Sequence, residues 1–229
     1  MSAYKSLRGV GLATMILLGL NAAAVTLSLP SAMAQLELAG RIEIGDYDDA
    51  ELTSNDLRQQ LLGLAQTGLY LVTAIVFVVW FHRAYTNLRA WDHLPAHGTG
   101  WAIGGWFVPI LSLFRPYQIA RETWWASAPQ SPEESVLAPS GPPLLAAWWG
   151  AWIIDNILGQ ITFRVSMAVE TPSGLKAATV LQMANDLVMF VAAVLALLVV
   201  RGLTKRQEDR AAGGGLSPGE LDALHDTFE

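Results

Sequence analysis

The sequence predicts an all-α integral membrane protein with four transmembrane helices and a cytoplasmic re-entrant or interfacial helical segment. Hydrophobic residues make up 52% of the 229-residue chain and charged residues only 15%, which is little charge for a soluble domain of this length. Four apolar stretches, at about residues 10–29, 61–81, 144–163 and 177–200, are each long enough to cross a bilayer as a helix. Cysteine is absent, which excludes disulfides, thiolate metal sites and cysteine nucleophiles.

The first apolar stretch follows Lys5 and Arg8 and has two interpretations. It is either a retained transmembrane helix or a signal peptide cleaved after Ala34, because residues 32–34 have the A-x-A form of a cleavage site. Its length exceeds the ~7–15 residues of a usual signal h-region, which favours the retained helix. The acidic segment that follows, residues 35–55, is predicted to be a solvated loop outside the cytoplasm.

The second apolar stretch belongs to a longer predicted helix. Ser54 or Asn55 can cap its start, and no proline occurs from Asp56 to Asp92. A helix of that length crosses a bilayer and projects from the far side. The residues on its projecting end are Trp80, Arg83, Tyr85, Asn87 and Arg89.

The segment 101–127 is apolar but interrupted. It begins with fourteen uncharged residues, broken by Gly104, Gly105 and Pro109, and continues with Arg115 and Pro116. Proline removes a backbone donor and kinks a helix, whereas it suits a helix's first turn. We therefore expect a segment that dips into the membrane and returns, followed by an interfacial helix from about residue 116 to 127.

The basic residues predict the orientation of the chain. With both termini in the cytoplasm, ten basic residues face inward and four outward, in agreement with the positive-inside rule. Residues 128–143 are predicted to form a proline-rich loop, and residues 211–229 a linker and a short peripheral helix. The inward set is Lys5, Arg8, Arg83, Arg89, Arg115, Arg121, Arg201, Lys205, Arg206 and Arg210, and the outward set is Arg41, Arg58, Arg164 and Lys176.

Three short motifs resemble those of a bacterial membrane family catalogued as domain of unknown function 4328. They are WFHRAYTNL at residues 80–88, GWAIGGWFVP at 100–109 and RPYQ at 115–118, and the resemblance extends over roughly residues 61–200. It implies a multi-pass protein of the bacterial inner membrane, and it carries no established activity. Thr99 stands where a proline is frequent in such sequences, and Gly105 where a tryptophan is common.

The first candidate site is the cytoplasmic surface around the projecting helix and the interfacial segment. Arginine binds phosphate with two donors and tryptophan lies at headgroup depth, so this surface suits a lipid phosphate or another anion. Ordinary topological anchoring explains the same arginines, and Glu122 is expected to pair with one of them. The candidate residues are Arg83, Tyr85, Asn87, Arg89, Trp106, Arg115, Tyr117, Arg121 and Trp124.

The second candidate site lies within the bilayer, where the third and fourth spans carry polar residues at similar depth. Such residues face the helix bundle, as a proton or cation site or as an interhelical hydrogen-bond clasp. The residues are Asp155, Asn156, Gln160, Gln182, Asn185 and Asp186.

These observations favour a non-enzymatic binding or scaffold protein that engages anionic lipid or a membrane partner at its cytoplasmic face. The alternative is a small transporter or proton-coupled or cation-coupled module that uses the paired acids. The sequence lacks a zinc motif, a nucleophile elbow, a phosphate loop and a dinucleotide fingerprint, so we expect no enzymatic activity, cofactor or metal. The expected partners are membrane lipids, other membrane proteins or a second copy of the chain, and not nucleic acid.

Overall fold

The described part of the chain is built from helices. A computed structural model describes residues 3–128 and 142–213, and every regular element within these ranges is helical. Two 3₁₀ turns, Asn87–Trp91 and Leu111–Leu113, lie among the α-helices. The α-helices are α1 (Arg8–Glu43), α2 (Asp49–Thr86), α3 (Trp101–Gly104), α4 (Arg115–Ala126), α5 (Pro143–Met167) and α6 (Pro172–Gly213).

Three of these helices are long and apolar enough to cross a membrane. They are α1, α2 with its following turn, and α6. Each also leaves large aliphatic side chains exposed on the protein, for example Leu27, Leu64 and Leu187. Lipid contact satisfies such side chains, whereas water does not, so the helices indicate a membrane protein. Helix α5 is not among the three because polar residues such as Asp155 interrupt its apolar sequence, and the four-span architecture stays a prediction.

The predicted solvated loop at residues 35–55 is wrong. Helix α1 continues past Pro30 and Ala34 to Glu43, and α2 begins at Asp49, before the predicted cap. The Asp48 carboxylate accepts a hydrogen bond from the Ala50 N–H at 3.1 Å, which caps α2 earlier than Ser54 or Asn55 would.

The connection between α1 and α2 is a tight turn. Gly45 adopts a φ of +76° there, a conformation that glycine reaches without strain. Arg41, in the last turn of α1, donates two hydrogen bonds of 2.8 and 2.7 Å to the Glu51 carboxylate in the first turn of α2. The acidic residues that indicated a loop therefore belong to helix ends.

The chain divides into two compact units. The first comprises Met1–Thr14, Val76–Ala146 and Leu198–Glu229. Its core contains large side chains that are almost completely removed from solvent. These are Leu7, Trp80, Phe81, Tyr85, Leu88, Ile119, Leu145, Val199, Val200 and Leu203.

The second unit comprises Met15–Ile75 and Ala147–Leu197, and polar contacts join its helices. Asn21 of α1 donates a hydrogen bond of 2.6 Å to Thr73 of α2. Gln35 of α1 donates one of 3.1 Å to Thr179 of α6. Because a lipid environment offers no hydrogen-bond partners, such bonds hold apolar helices in register.

A helix, α4, is present where the interfacial helix is predicted, and it begins one residue earlier than expected, at Arg115. Helix α6 extends to Gly213, so the first residues of the predicted linker are helical. The predicted loop at 128–143 lies mostly outside the described residues. The predicted tail helix near Ser217 lies outside them altogether.

Candidate functional site

Segment 101–114, which comprises α3 and the residues that lead to α4, exposes apolar side chains. It runs from Trp101 through two short turns to Phe114. Leu111 N–H donates a hydrogen bond of 2.8 Å to Pro109 O across Ile110, which has a φ of +67°. This is the strained form of γ-turn, and a β-branched residue rarely adopts it. Phe107, Ile110 and Leu113 are 74%, 73% and 54% exposed.

Arg115 begins α4 where this apolar segment ends. Its Nη1 lies 3.0 and 2.8 Å from the two ring nitrogens of His97 and donates a hydrogen bond of 3.1 Å to Gln118 Oε1. The guanidinium carbon lies 5.8 Å from the Trp101 ring centroid, a cation–π distance. Arg115 Nε is buried and has no hydrogen-bond partner within the described residues.

A network around Glu122 of α4 fixes the loop that carries His97. Glu122 Oε1 accepts hydrogen bonds from Ala96 N–H at 2.7 Å and contacts His93 Nε2 at 3.1 Å. Glu122 Oε2 accepts a hydrogen bond of 2.8 Å from the buried Tyr85 hydroxyl, which in turn accepts one of 3.0 Å from His97 N–H. The loop is therefore attached to both α2 and α4, and His97 is held beside Arg115.

Asn87 and Gln207 form a second, buried network. Asn87 contacts both backbone groups of Lys5: its Oδ1 accepts from the N–H at 3.0 Å and its Nδ2 donates to the carbonyl at 2.8 Å. Asn87 Nδ2 also donates to Gln207 Oε1, and Gln207 Nε2 donates to Ala84 O and Ser127 Oγ. Two buried amides thus tie the N-terminal segment, α2, α4 and α6 together.

Glu208 binds the start of the chain to α6. Its Oε1 accepts hydrogen bonds from Tyr4 Oη (2.9 Å), Ser6 Oγ (2.7 Å) and Leu7 N–H (2.7 Å), and its Oε2 accepts one from Arg8 Nε (3.0 Å). Burial by itself would raise the pKa of Glu208, but the hydrogen bonds from Ser6, Tyr4 and Leu7, together with the charge of Arg8, lower it below its usual value. Burial and the bond to Glu208 raise the pKa of Tyr4. In the folded state, Glu208 is therefore held as an ionised carboxylate and Tyr4 as a neutral phenol.

Two arginines of α6 stack on tryptophans. Arg206 lies over Trp124 of α4 with 4.7 Å between the guanidinium carbon and the ring centroid, and Arg210 lies over Trp91 at the same distance. Arg210 also donates hydrogen bonds to Ala126 O and Ala128 O at the end of α4. A cation at the C-terminal end of a helix is favourable, so Arg210 fixes α4 by charge as well as by hydrogen bonding.

Comparison with known families gives one finding. The model of the family described as domain of unknown function (DUF4328) matches residues 45–205, well over half of the chain. The chain belongs to the DUF4328 family. No curated protein and no solved structure matches it. The matched range contains both candidate sites of this DUF4328 protein.

The nine predicted surface residues divide into two groups in this DUF4328 protein. Tyr85 and Asn87 are buried and bonded within the first unit, and Trp124 is half-buried beneath Arg206. Trp106 is half-buried and packs edge-on against Phe77 and Phe81, with ring centroids 5.6 Å apart in both pairs. Arg89 and Arg121 are exposed, whereas Arg83, whose Nη1 donates to Ser6 O, is half-buried, as are Arg115 and Tyr117.

The sequence did not indicate the role of two residues. Glu122, expected to pair with an arginine, instead binds Tyr85, His93 and the backbone of Ala96. The second residue, His97, contacts Arg115 Nη1 across 18 positions of the chain, a pairing that no local sequence pattern indicates. Within the described residues no group of three or more His, Asp or Glu side chains is placed to hold a metal ion.

The second predicted set lies in the second unit. Asp155 interacts electrostatically with Asp186, which is buried and accepts a hydrogen bond of 2.7 Å from Gln182 Nε2. Asp155 Oδ1 and Asn185 Oδ1 are both buried without a hydrogen-bond partner among the described residues, and Asn185 lies against Gly159. The structure thus places Asn185, the residue before the buried Asp186, against the helix that carries Asp155.

The other predicted members of this set do not join the two helices. Asn156 donates a hydrogen bond of 2.8 Å to Trp152 O in its own helix, and the side chains of Gln160 and Gln182 are largely exposed. Between residues 155–156 and 185–186, no interhelical hydrogen bond is present in the described structure.

Proposed function

We propose that this protein is a non-enzymatic membrane-surface module that binds anionic phospholipid through the cytoplasmic face of its first unit. The proposal includes four membrane spans, cytoplasmic termini and a bacterial inner-membrane location. One observation carries it: the exposed apolar segment 101–114 leads directly into Arg115. An apolar surface that ends in a cation matches the boundary between acyl chains and headgroups.

Physical magnitudes support this assignment. Full burial of one large apolar side chain contributes about 1.5–3 kcal/mol, and segment 101–114 exposes Phe107, Ile110 and Leu113. Each basic residue close to an anionic surface adds ~1 kcal/mol. In this function the accessible arginines contact lipid. The buried Tyr85 and Asn87 hold the neighbouring backbone segments in position.

The test compares two variants that remove the same charge. In Arg115→Gln/Arg121→Gln, two inner-face cations are lost, so we expect at least about tenfold weaker retention of anionic phospholipid, from ~1 kcal/mol per residue. The measurement is the molar ratio of anionic phospholipid to protein after extraction in mild detergent, determined by mass spectrometry.

The matched control is Arg58→Gln/Arg164→Gln, whose residues face outward in the proposed topology. This control is expected to retain lipid as the unmodified protein does. An equal loss of lipid in both variants, or no loss in either, contradicts the proposed function. A co-purifying membrane protein that is lost only from the inner-face variant indicates a protein partner in place of lipid.

A second function, cation or proton coupling in the second unit, has its own supporting observation. Two buried oxygens, Asp155 Oδ1 and Asn185 Oδ1, lack hydrogen-bond partners within the described structure, and Asp155 interacts with Asp186. Unsatisfied acceptors near acidic groups inside a bilayer suit a bound cation or proton. They are less suited to a hydrogen-bond clasp, in which these oxygens would accept bonds.

The test for this second function is a flux assay in proteoliposomes that contain a pH-sensitive or sodium-sensitive dye. Asp155→Asn is expected to abolish protein-dependent flux because it removes the charge but keeps the shape of the side chain. Gln160→Glu, which adds charge at an exposed position of the same helix, is the control. Protein-dependent flux that persists in Asp155→Asn excludes the mechanism.

A further inference from the structure

We infer that one edge of the Arg115 guanidinium, formed by Nε and Nη2, is a binding subsite for the phosphate group of a phospholipid. The inference rests on the proposed membrane-surface function and names the atoms and the ligand group at that surface. It depends on three features of Arg115: an unused pair of donors, a fixed position, and an apolar surface beside it.

The first feature is the distribution of hydrogen bonds on the guanidinium. All of the side-chain bonds that Arg115 donates among the described residues come from Nη1, which faces His97 and Gln118. Nε is buried and has no hydrogen-bond partner in the part of the chain that the structure describes. A buried, unpaired donor on a charged group is unfavourable, so a native partner for it is expected. Nε and Nη2 together form the edge that binds two oxygens of one phosphate.

Within residues 3–128 and 142–213, the charge of Arg115 is also not neutralised by a neighbouring acid. The ion pairs in the described structure do not include Arg115. The acidic residue nearest along α4, Glu122, has both oxygens occupied by Tyr85, His93 and Ala96. The neighbours that Arg115 does contact, His97, Gln118 and Trp101, include no acidic side chain, so a bound anion would supply the missing negative charge.

The second feature is that the guanidinium is held in place. A Cβ atom at Gly105 would lie 3.0 Å from Arg115 Cγ and 2.7 Å from Trp101 O, so glycine permits the aliphatic stem of Arg115 to pack on this turn. Trp101 lies over the charged end at 5.8 Å and His97 contacts Nη1. A fixed side chain loses little conformational entropy when it binds, which favours a defined subsite over a mobile surface charge.

The third feature identifies the source of the phosphate. Phe107, Ile110 and Leu113, on the segment that leads to Arg115, are exposed apolar groups. Soluble phosphates do not need such a surface, whereas a phospholipid places acyl chains beside its phosphate. The ligand class is therefore a lipid-borne phosphate.

The experiment measures the affinity of the detergent-purified full chain for three probes by isothermal titration calorimetry. The probes are di-octanoyl phosphatidylglycerol, which has phosphate and acyl chains, glycerol 3-phosphate, which lacks acyl chains, and di-octanoylglycerol, which lacks phosphate. Arg115→Lys keeps the charge but loses the two-donor edge, so it is expected to bind di-octanoyl phosphatidylglycerol about tenfold more weakly. Arg164→Lys, at an exposed arginine that faces outward in the proposed topology, is the matched control and is expected to bind it as the unmodified protein does.

The outcomes separate this inference from the proposed function. If Arg115→Lys binds di-octanoyl phosphatidylglycerol like the unmodified protein while Arg115→Gln/Arg121→Gln loses lipid, charge alone suffices and the subsite is wrong, but the function stands. If neither variant changes lipid binding, both are wrong. Glycerol 3-phosphate binding as tightly as the lipid overturns the assignment to a lipid phosphate. Unchanged binding of di-octanoylglycerol to Arg115→Lys confirms that this variant is folded.

Discussion

At the scale of single residues, polar side chains of the first unit act mainly by fixing backbone segments. Asn87 holds both backbone groups of Lys5, and Glu122 holds Ala96 N–H. The sequence identified Asn87 and Tyr85 as important, but assigned them to ligand contact. Their partners lie far away along the chain, and helical spacing relates only residues three or four positions apart.

Glu208 gives a prediction for pH dependence. It lies beyond the apolar stretch that ends at Val200, and its carboxylate accepts four hydrogen bonds from residues 4–8. Because its pKa is lowered in the folded state from 4.5, its contribution is complete above that pH and is lost as pH falls through the lower, folded-state pKa. We expect Glu208→Gln to lower the free energy of unfolding by about 1–3 kcal/mol at neutral pH. The measurement is thermal unfolding in detergent across a pH series.

This prediction is checked by the difference in the free energy of unfolding between Glu208→Gln and the unmodified protein at each pH. This difference is expected to shrink as the pH falls below 4.5. Asp209→Asn, at the exposed neighbouring acid, serves as the control and is expected to change stability little. A difference between the two proteins that does not vary with pH would show that Glu208 acts without its charge.

At the scale of elements, α4 was predictable and its docking was not. Pro116 at its first turn and the uncharged stretch before it located the helix within one residue. Its contact with α6 depends on Gly202, where a Cβ atom would lie 2.9 Å from Trp124 Cη2, and on Arg206 above the same ring. No local pattern pairs Trp124 with a glycine in a distant helix.

The turn between α1 and α2 shows where local patterns mislead. Acidic residues near Asp48 indicated a solvated loop, but the same residues are favourable in the first turn of a helix. Arg41 and Glu51 pair across the turn and stabilise both helix ends. Charge alone could not distinguish a loop from a capped helix.

At the scale of the whole molecule, the absence of native cysteine makes the predicted topology directly testable. Single cysteines at Leu94, Ser173 and Lys205 would be placed on exposed sites. In spheroplasts of a bacterial host, a membrane-impermeant maleimide is expected to label Ser173→Cys before permeabilisation, and Leu94→Cys and Lys205→Cys only after it.

This labelling pattern also decides whether α5 spans the membrane. If segment 101–114 dips and returns, α5 supplies the one crossing between Leu94 and Ser173, so these two sites are on opposite sides. Labelling of both sites from the same side would contradict the four-span architecture. A cysteine-free chain, labelled in parallel, measures the background.

The sequence by itself determined the helical membrane class, the family and the position of helix α4. These depend on apolar length, proline and glycine placement and short motifs, all of which are properties of contiguous residues. Only the tertiary structure decided that Tyr85 and Asn87 are buried and that Glu122 binds Tyr85 and His93. It alone also shows that Arg115 Nε has no hydrogen-bond partner among the described residues. These features join residues from different helices and from both ends of the chain, and a buried donor is recognised as unpaired only when its surroundings are known.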